Sequence, residues 1–356
     1  MSSIVSNPFD SIRKSTMRSI RYHAFGTPED VLRVEREPAP QPPGPDEVLI
    51  RVLVRPMHPG DLLGVAGRYR APGDPTPVPV GGNRPGFEGM GVVEAVGAEA
   101  AERLQPGMRV AFFPGAGAWG ERTLVRAEFV SALPAQVPDA IGAQLHVNPL
   151  TAQMLLRAAH QAGVGAGGAM LLTAAGSAVA KLLAALALRA GLPLVGLVRS
   201  SAGVRELAGL HPDMPVVATD TPDWRDNLTR YLDGKPLRAV FDAVGGALPS
   251  ELFLRLAPGG TLVMYGDMSG VPLQIPALML PMRDLHVEGV SVGRWAGLPA
   301  EQRREDLRGA LDLALHYPHL FEIAASYDLD QVAAAAAHAQ RAGKRGAVLL
   351  TSPAAP

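Results

Sequence analysis

The chain has 356 residues, 33 Lys+Arg against 34 Asp+Glu, a formal charge of -1, 47% hydrophobic and 19% charged residues, and no cysteine. That length favours two domains with cores of their own. The balanced charge argues against a nucleic acid or an anionic membrane as partner, and the lack of cysteine removes disulfides, thiol nucleophiles and thiolate metal ligands together.

Residues 1–16 carry Asp10, Arg13 and Lys14 but no apolar stretch of the secretory kind, and they read as an N-terminal extension. From Met17, short β-like runs at 48–54, 91–96, 109–113 and 122–125, parted by Pro and Gly, predict a barrel-like β domain over 17–147. Helical periodicity starts at Thr151; an apolar run at 169–173 then leads through small residues into a long apolar helix that ends at Gly191. That helix holds the longest apolar run, 182–188, bounded by Lys181 and Arg189. This is well short of the ~18 residues of a membrane span, so a soluble, cytoplasmic protein is expected. Strand-like runs at 194–198, 216–218, 239–241, 262–265 and 287–292 alternate with helical stretches at 202–208, 224–232 and 248–256. Such alternation predicts parallel strands with crossover helices, a doubly wound α/β domain over 148–293. A charged helix over 299–316, an alanine-rich helix over 329–342 and a last strand at 347–350 form a segment, 294–356, expected to return to the β domain.

The turn Ala174, Ala175, Gly176, Ser177, Ala178 joins an apolar strand to a helix, where backbone N–H groups can approach a pyrophosphate. Ala178 and Ala180 stand where G-x-G-x-x-G has glycine, and a mere tight connection would look similar. The following strand ends in Arg199, where dinucleotide folds usually carry Asp or Glu against the ribose hydroxyl. A guanidinium there suits the 2′-phosphate of NADPH, with Ser200 and Ser201 as auxiliary donors; a solvated surface arginine is the plain alternative.

Several motifs in order carry a resemblance over nearly the whole chain: MHPGDLLGVAGRYR at 57–70, RPGFEGMGVVEAVG at 84–97, GAWGERTLV at 117–125, VNPLTAQMLL at 147–156, FDAVGG at 241–246 and GGTLVMYGDMSG at 259–270. The sequence resembles the mitochondrial-type 2-enoyl thioester reductases, in the zinc-free branch of the medium-chain dehydrogenase/reductase superfamily, with quinone oxidoreductases as close relatives. The resemblance implies a GroES-like β-barrel-type catalytic domain and a Rossmann domain binding NADPH. It makes Tyr69 the proton donor and Asn148 a cofactor contact. It places Gly176, Ser177, Ala178 and Val179 in the phosphate turn and Arg199 on the 2′-phosphate. Tyr265, Gly266, Asp267 and Met268, with Val290, Ser291 and Val292, fall in later cofactor loops. It further implies a homodimer, for which the apolar stretch 271–280 is the candidate cover. The departures are Ser201 in place of a second arginine, and His58 and Gly60 in place of the more usual Asn and Ser.

Zinc enzymes of this superfamily carry a G-H-E turn, and here it reads Gly86-Phe87-Glu88. With no imidazole and no cysteine, no zinc site is expected, and Glu88 reads as structural. Hydride transfer to an activated C=C of a small molecule then fits better than alcohol oxidation. Tyr69, a phenol neutral at pH 7, suits an enolate, although a tyrosine at a loop rim is the alternative. His146 and His160 read as structural, and Trp119 and Trp295 as walls of a substrate pocket or as core. Three functions remain open: an enoyl thioester reductase that recognises acyl-CoA or acyl carrier protein, for which Arg68, Arg70 and Arg84 are candidate contacts; a quinone or enone reductase; and a non-catalytic NADPH-binding protein.

Overall fold

The computed structural model describes residues 16–71 and 73–353, so the expected extension lies outside the described residues but for Thr16. Two compact units emerge: the chain up to Val147 and again from Ala314, and Asn148–Leu313.

In the first unit β1 (Thr16–Arg21) pairs antiparallel with β2 (Arg33–Pro38), a hairpin that the alternation of charges in β2 concealed. β3 (Glu47–Pro56) is the central strand, antiparallel to β4 (Gly89–Val96) and to β6 (Arg122–Arg126). β5 (Arg109–Phe112) joins β4 to β7 (Val130–Ala132). The period-2 pattern of β3 turns Val48, Ile50 and Val52 inward, all fully buried with Val93, Val110, Phe112 and Val125.

The second unit is one parallel sheet of β8 (Ala169–Leu172), β9 (Leu194–Val198), β10 (Val216–Ala218), β11 (Leu237–Asp242), β12 (Thr261–Met264) and β13 (His286–Gly289). Its order is β10-β9-β8-β11-β12-β13, which is the 3-2-1-4-5-6 arrangement of a dinucleotide fold. β8 and β9 are buried at every residue, as helices on both faces demand. The crossover reverses between β8 and β11, and ligands of such sheets bind beyond the strands' carboxyl ends at that point. β13 is the outer edge, and all four of its residues are exposed.

The chain returns to the first unit as β14 (Ile323–Asp328) and β15 (Ala347–Thr351), with β15 antiparallel on β3. Leu329, Val332 and Leu350 share a core there with Ile20, Leu32 and Trp119. The return comes at Ala314 rather than at 294. Asp306 explains why: it is 1% exposed and must be paired, and its carboxylate takes Trp295 Nε1 at 3.0 Å and Arg157 Nη1 at 2.6 Å, both in the second unit. Two elements are shorter than expected. The run to 292 ends at Gly289, because Ser291 Oγ accepts from Gly293 N and starts a 3-10 turn, and the helix over 329–342 is a 3-10 turn followed by Val332–Ala339. Among the described residues no helix is long and apolar enough to cross a membrane.

Ala174, just past β8, is held at φ 44°. The left-handed region costs an L residue about 1–2 kcal/mol, more than the ~0.5–1 kcal/mol that glycine's freedom costs in the unfolded chain. Ala174→Gly should therefore stabilise the fold by up to ~1 kcal/mol, read as a higher urea midpoint at unchanged slope. A lower midpoint would show that the turn is unstrained.

Candidate active site

Pro59 opens the helix Pro59–Val65, and Asp61 Oδ2 accepts from His58 N at 2.9 Å, which fixes its start. His58 Nε2 lies 2.6 Å from Glu88 Oε2. The other oxygen, Oε1, accepts from His146 N and from Val147 N at 2.9 Å. Glu88 is thus wholly buried and satisfied. Burial works against a charged His58, but the bond to Glu88 and its negative charge outweigh that, and the imidazole pKa lies above the ordinary value. Burial pushes His146 down to about 4, so it is neutral, and its Nε2 is 3.0 Å from Ser131 Oγ. Phe87 is 45% exposed where a histidine would have been needed, and among the described residues no group of three or more His, Cys, Asp or Glu could hold a metal.

Tyr69 follows that helix in a turn and is 69% exposed. Its ring runs back along the helix, so that a Cβ built on Gly60 would be 3.2 Å from the hydroxyl. No described residue hydrogen-bonds this hydroxyl. Partial burial, and then the nearby charge of Asp61, hold its pKa above the ordinary phenol value, so at neutral pH it is a proton donor without an acceptor of its own. Asp61 itself is pushed up to about 6 by burial, and its Oδ1 has no hydrogen-bond partner.

In the second unit the turn after β8 is braced from below. Thr173 Oγ1 donates to Asp242 Oδ2, and Asp242 Oδ1 accepts from Val244 N at 2.8 Å and Gly245 N at 2.7 Å. One buried carboxylate thereby shapes both loops at the reversal point of the sheet. Gly176 has an ordinary φ, and a Cβ built on it would meet nothing within 4 Å. Neither backbone nor packing calls for glycine there, and the bare position leaves room for the close approach of a phosphate. Ser177 caps the helix Ala178–Arg189 through Ala180 N at 3.3 Å and is bonded by Tyr265, whose hydroxyl burial pushes up to about 12. Ala178 and Val179 are half-buried in the first turn, and the extra methyl of Ala180 is accommodated inside the unit, 1% exposed. Arg199 is exposed at the end of β9 and pairs with no described residue. Ser200 precedes the helix Ser201–Leu210 and does not cap it. Phosphate turn and arginine therefore fit a phosphorylated dinucleotide.

The remaining expected residues are dispersed around this frame. Asn148 is half-buried on the first turn of Val147–Gln161. The loop of Tyr265, Gly266, Asp267 and Met268 is latched to the FDAVGG turn, since Tyr265 N donates to Asp242 O at 2.9 Å and Met268 N to Ala243 O at 3.0 Å. Val290, Ser291 and Val292 lie just past β13. Trp119 and Trp295 do not stand as open walls: both are 0% exposed. Trp119 Nε1 donates to Pro56 O at 3.2 Å, and a Cβ on Gly86, at φ 95°, would lie 2.4 Å from its Cδ1. Nor are the candidate carrier contacts free. Arg70 lies 4.7 Å over the Phe25 ring and pairs with Asp74, while Arg84 pairs with Glu37 at 3.2 Å. Thr173 and Asp242 escaped sequence reasoning, although FDAVGG contains Asp242, and Glu88, read as structural, was not foreseen to pair with His58.

Residues 44–135 match the alcohol dehydrogenase GroES-like domain. The chain is 28% identical over 313 residues to an enoyl-[acyl-carrier-protein] reductase, mitochondrial, of Dictyostelium discoideum, which covers 84% of each chain. It is 29% identical over 285 residues to the Rattus norvegicus protein of that name, which covers 79% of this chain and 74% of that one. Among solved structures, a Bacillus thuringiensis protein put forward as an NADPH:quinone reductase is similar at TM-score 0.81 and 29% identity over 96% of this chain and 100% of that one. A GroES-like unit joined to a parallel dinucleotide-type sheet, with these relatives, makes the chain similar throughout to the medium-chain dehydrogenases/reductases.

Proposed function

We propose that this chain is an NADPH-dependent reductase of activated carbon–carbon double bonds, working without zinc, with a trans-2-enoyl thioester as its substrate. The observation that carries the reading is the Tyr69 hydroxyl, a neutral acid that no described residue hydrogen-bonds. NADPH, when bound, would supply the hydride. Tyr69 Oη–H donates a hydrogen bond to the substrate carbonyl oxygen, where negative charge develops, and delivers its proton to the enolate. Arg199, with Ser200 and Ser201, holds the 2′-phosphate; the turn of Gly176, Ser177, Ala178 and Val179 holds the pyrophosphate. Asn148 and the loops of Tyr265, Gly266, Asp267, Met268 and of Val290, Ser291, Val292 complete the cofactor contacts. The enoyl reductase names of the curated relatives support the thioester. The Bacillus thuringiensis structure favours a second reading, reduction of a quinone, which can take its protons from solvent.

Tyr69→Phe should lower kcat on crotonyl-CoA by ~10²–10³, followed as NADPH absorbance, with NADPH affinity unchanged. Near-native turnover would transfer the case to the quinone reading.

A charge-assisted pair of Arg199 with the 2′-phosphate is worth ~1.5–3 kcal/mol, so the protein should bind NADPH well ahead of NADH, and Arg199→Glu should abolish or invert that order. Equal affinities of the native protein, by fluorescence titration, would remove Arg199 from the site.

The assembly proposed is a homodimer built on the β13 edge, because an exposed strand edge templates further pairing. Val271, 53% exposed, and Leu278, 71% exposed, lie in the apolar stretch 271–280 that would cover this interface. Light scattering should give twice the chain mass; a monomer at all concentrations would contradict this.

A further inference from the structure

We infer that Phe25 and Arg70 are positioning residues: they clamp the turn 67–70 and so hold Tyr69, which lies within it, in place for the substrate oxygen. The inference rests on the reading of Tyr69 as proton donor. Gly67, at φ 73°, closes the helix Pro59–Val65, with Gly67 N donating to Gly64 O at 3.0 Å and Arg68 N to Leu63 O at 2.9 Å. Those bonds fix the backbone as far as Arg68. Tyr69 stands one residue further on, in a turn closed by Arg70 N donating to Gly67 O at 3.2 Å. With its ring 69% exposed and no described residue bonded to its hydroxyl, the phenol has little packing of its own to hold it. Its placement then depends on what holds positions 67 and 70.

Both are held by one side chain from elsewhere in the unit. The loop after β1 is tied to the end of the helix, since Gly26 N donates to Val65 O at 3.2 Å. Phe25 then packs on Gly67, where a Cβ would lie 3.2 Å from its Cβ and from its Cγ. Over the same ring stands the Arg70 guanidinium, 4.7 Å from the centroid, a cation drawn to the negative face of an aromatic. Arg70 also donates to Asp74 O, and Asp74 Oδ1 is fixed in turn by Thr76 N at 2.9 Å, so the arginine is steadied from both sides. The ring that carries the clamp has a firm seat, because Phe25 packs against the core that contains Ile20 and Tyr22. Proton donor and core are thus connected through one aromatic side chain. The guanidinium is thereby committed to the turn and not to a carrier phosphate.

The test compares the native protein with Phe25→Leu, which stays apolar but loses the ring, Phe25→Tyr, which keeps it, and Arg70→Gln, which loses the cation. Each is made with and without Tyr69→Phe. A misplacement of about 1 Å can cost ~10² in rate, so Phe25→Leu and Arg70→Gln should each lower kcat on crotonyl-CoA by ~10-fold at unchanged NADPH affinity. Phe25→Tyr should restore most of the rate, and both losses should vanish in the Tyr69→Phe background. A second readout needs no substrate: with fluorotyrosine in place of tyrosine, the fluorine NMR line missing from Tyr69→Phe belongs to Tyr69. Phe25→Leu and Arg70→Gln should shift or broaden that line and leave those of Tyr231 and Tyr265, in the second unit, where they are. An unmoved Tyr69 line in both variants, or equal rate losses in both backgrounds, would overturn the inference and make the pair merely structural. Native turnover in Tyr69→Phe with a displaced Tyr69 line would overturn the donor reading instead, so the two failures are told apart.

Discussion

A carboxylate out of reach of water has to be met by donors at both oxygens, and in each unit one such group organises the chemistry around it. In the first unit it is Glu88. One oxygen takes the His58 imidazole and the other the backbone N–H groups of His146 and Val147, so the start of the Pro59–Val65 helix is fixed to the strand that follows Glu88 and to the point where the unit ends. Removing that carboxylate would leave a buried imidazole and two buried N–H groups with no acceptor, a larger loss than any single bond. The placement of Tyr69 depends on it, because the tyrosine rests on that helix.

Asp242 plays the same part in the second unit. It closes off β11, fixes the FDAVGG turn through two N–H groups and receives the Thr173 hydroxyl from the end of β8. The two strands between which the sheet order reverses are therefore linked at their carboxyl ends, where a ligand of this fold binds. The turn above them keeps an alanine in the left-handed region and a glycine facing open space. In that turn a strained backbone and a missing side chain stand two residues apart.

Much of this was legible in the sequence because it rests on period and spacing. Alternating apolar runs and helical stretches predicted the parallel sheet, and the turn at 174–178 with Arg199 one strand later marked the dinucleotide side. What stayed hidden depends on partners distant in sequence. Glu88 and His146 are 58 residues apart, Thr173 and Asp242 69, and no local pattern announces either pair. The β1–β2 hairpin was not predicted, because Val34 is the single apolar residue between Arg33 and Glu37 and gives no period-2 pattern to read. The tryptophans were ambiguous for a different reason. An indole suits a pocket wall or a core equally, and only the hydrogen bonds of Trp119 to Pro56 O and of Trp295 to Asp306 decide for the core.

The electrostatics of the first unit also separate two roles that a sequence motif joins. Within MHPGDLLGVAGRYR, His58 and Asp61 are turned inward and bonded, while Tyr69 and Gly60 face each other with nothing between. The inward pair sets the frame. Partial burial, and then the charge of Asp61, hold the Tyr69 proton more firmly than in an ordinary phenol, and no described residue occupies the hydroxyl with a hydrogen bond. An acid that must reside on its oxygen until negative charge develops nearby is best served by that combination: a raised pKa in the resting state, and a donor direction left open for the one acceptor whose charge grows during the reaction.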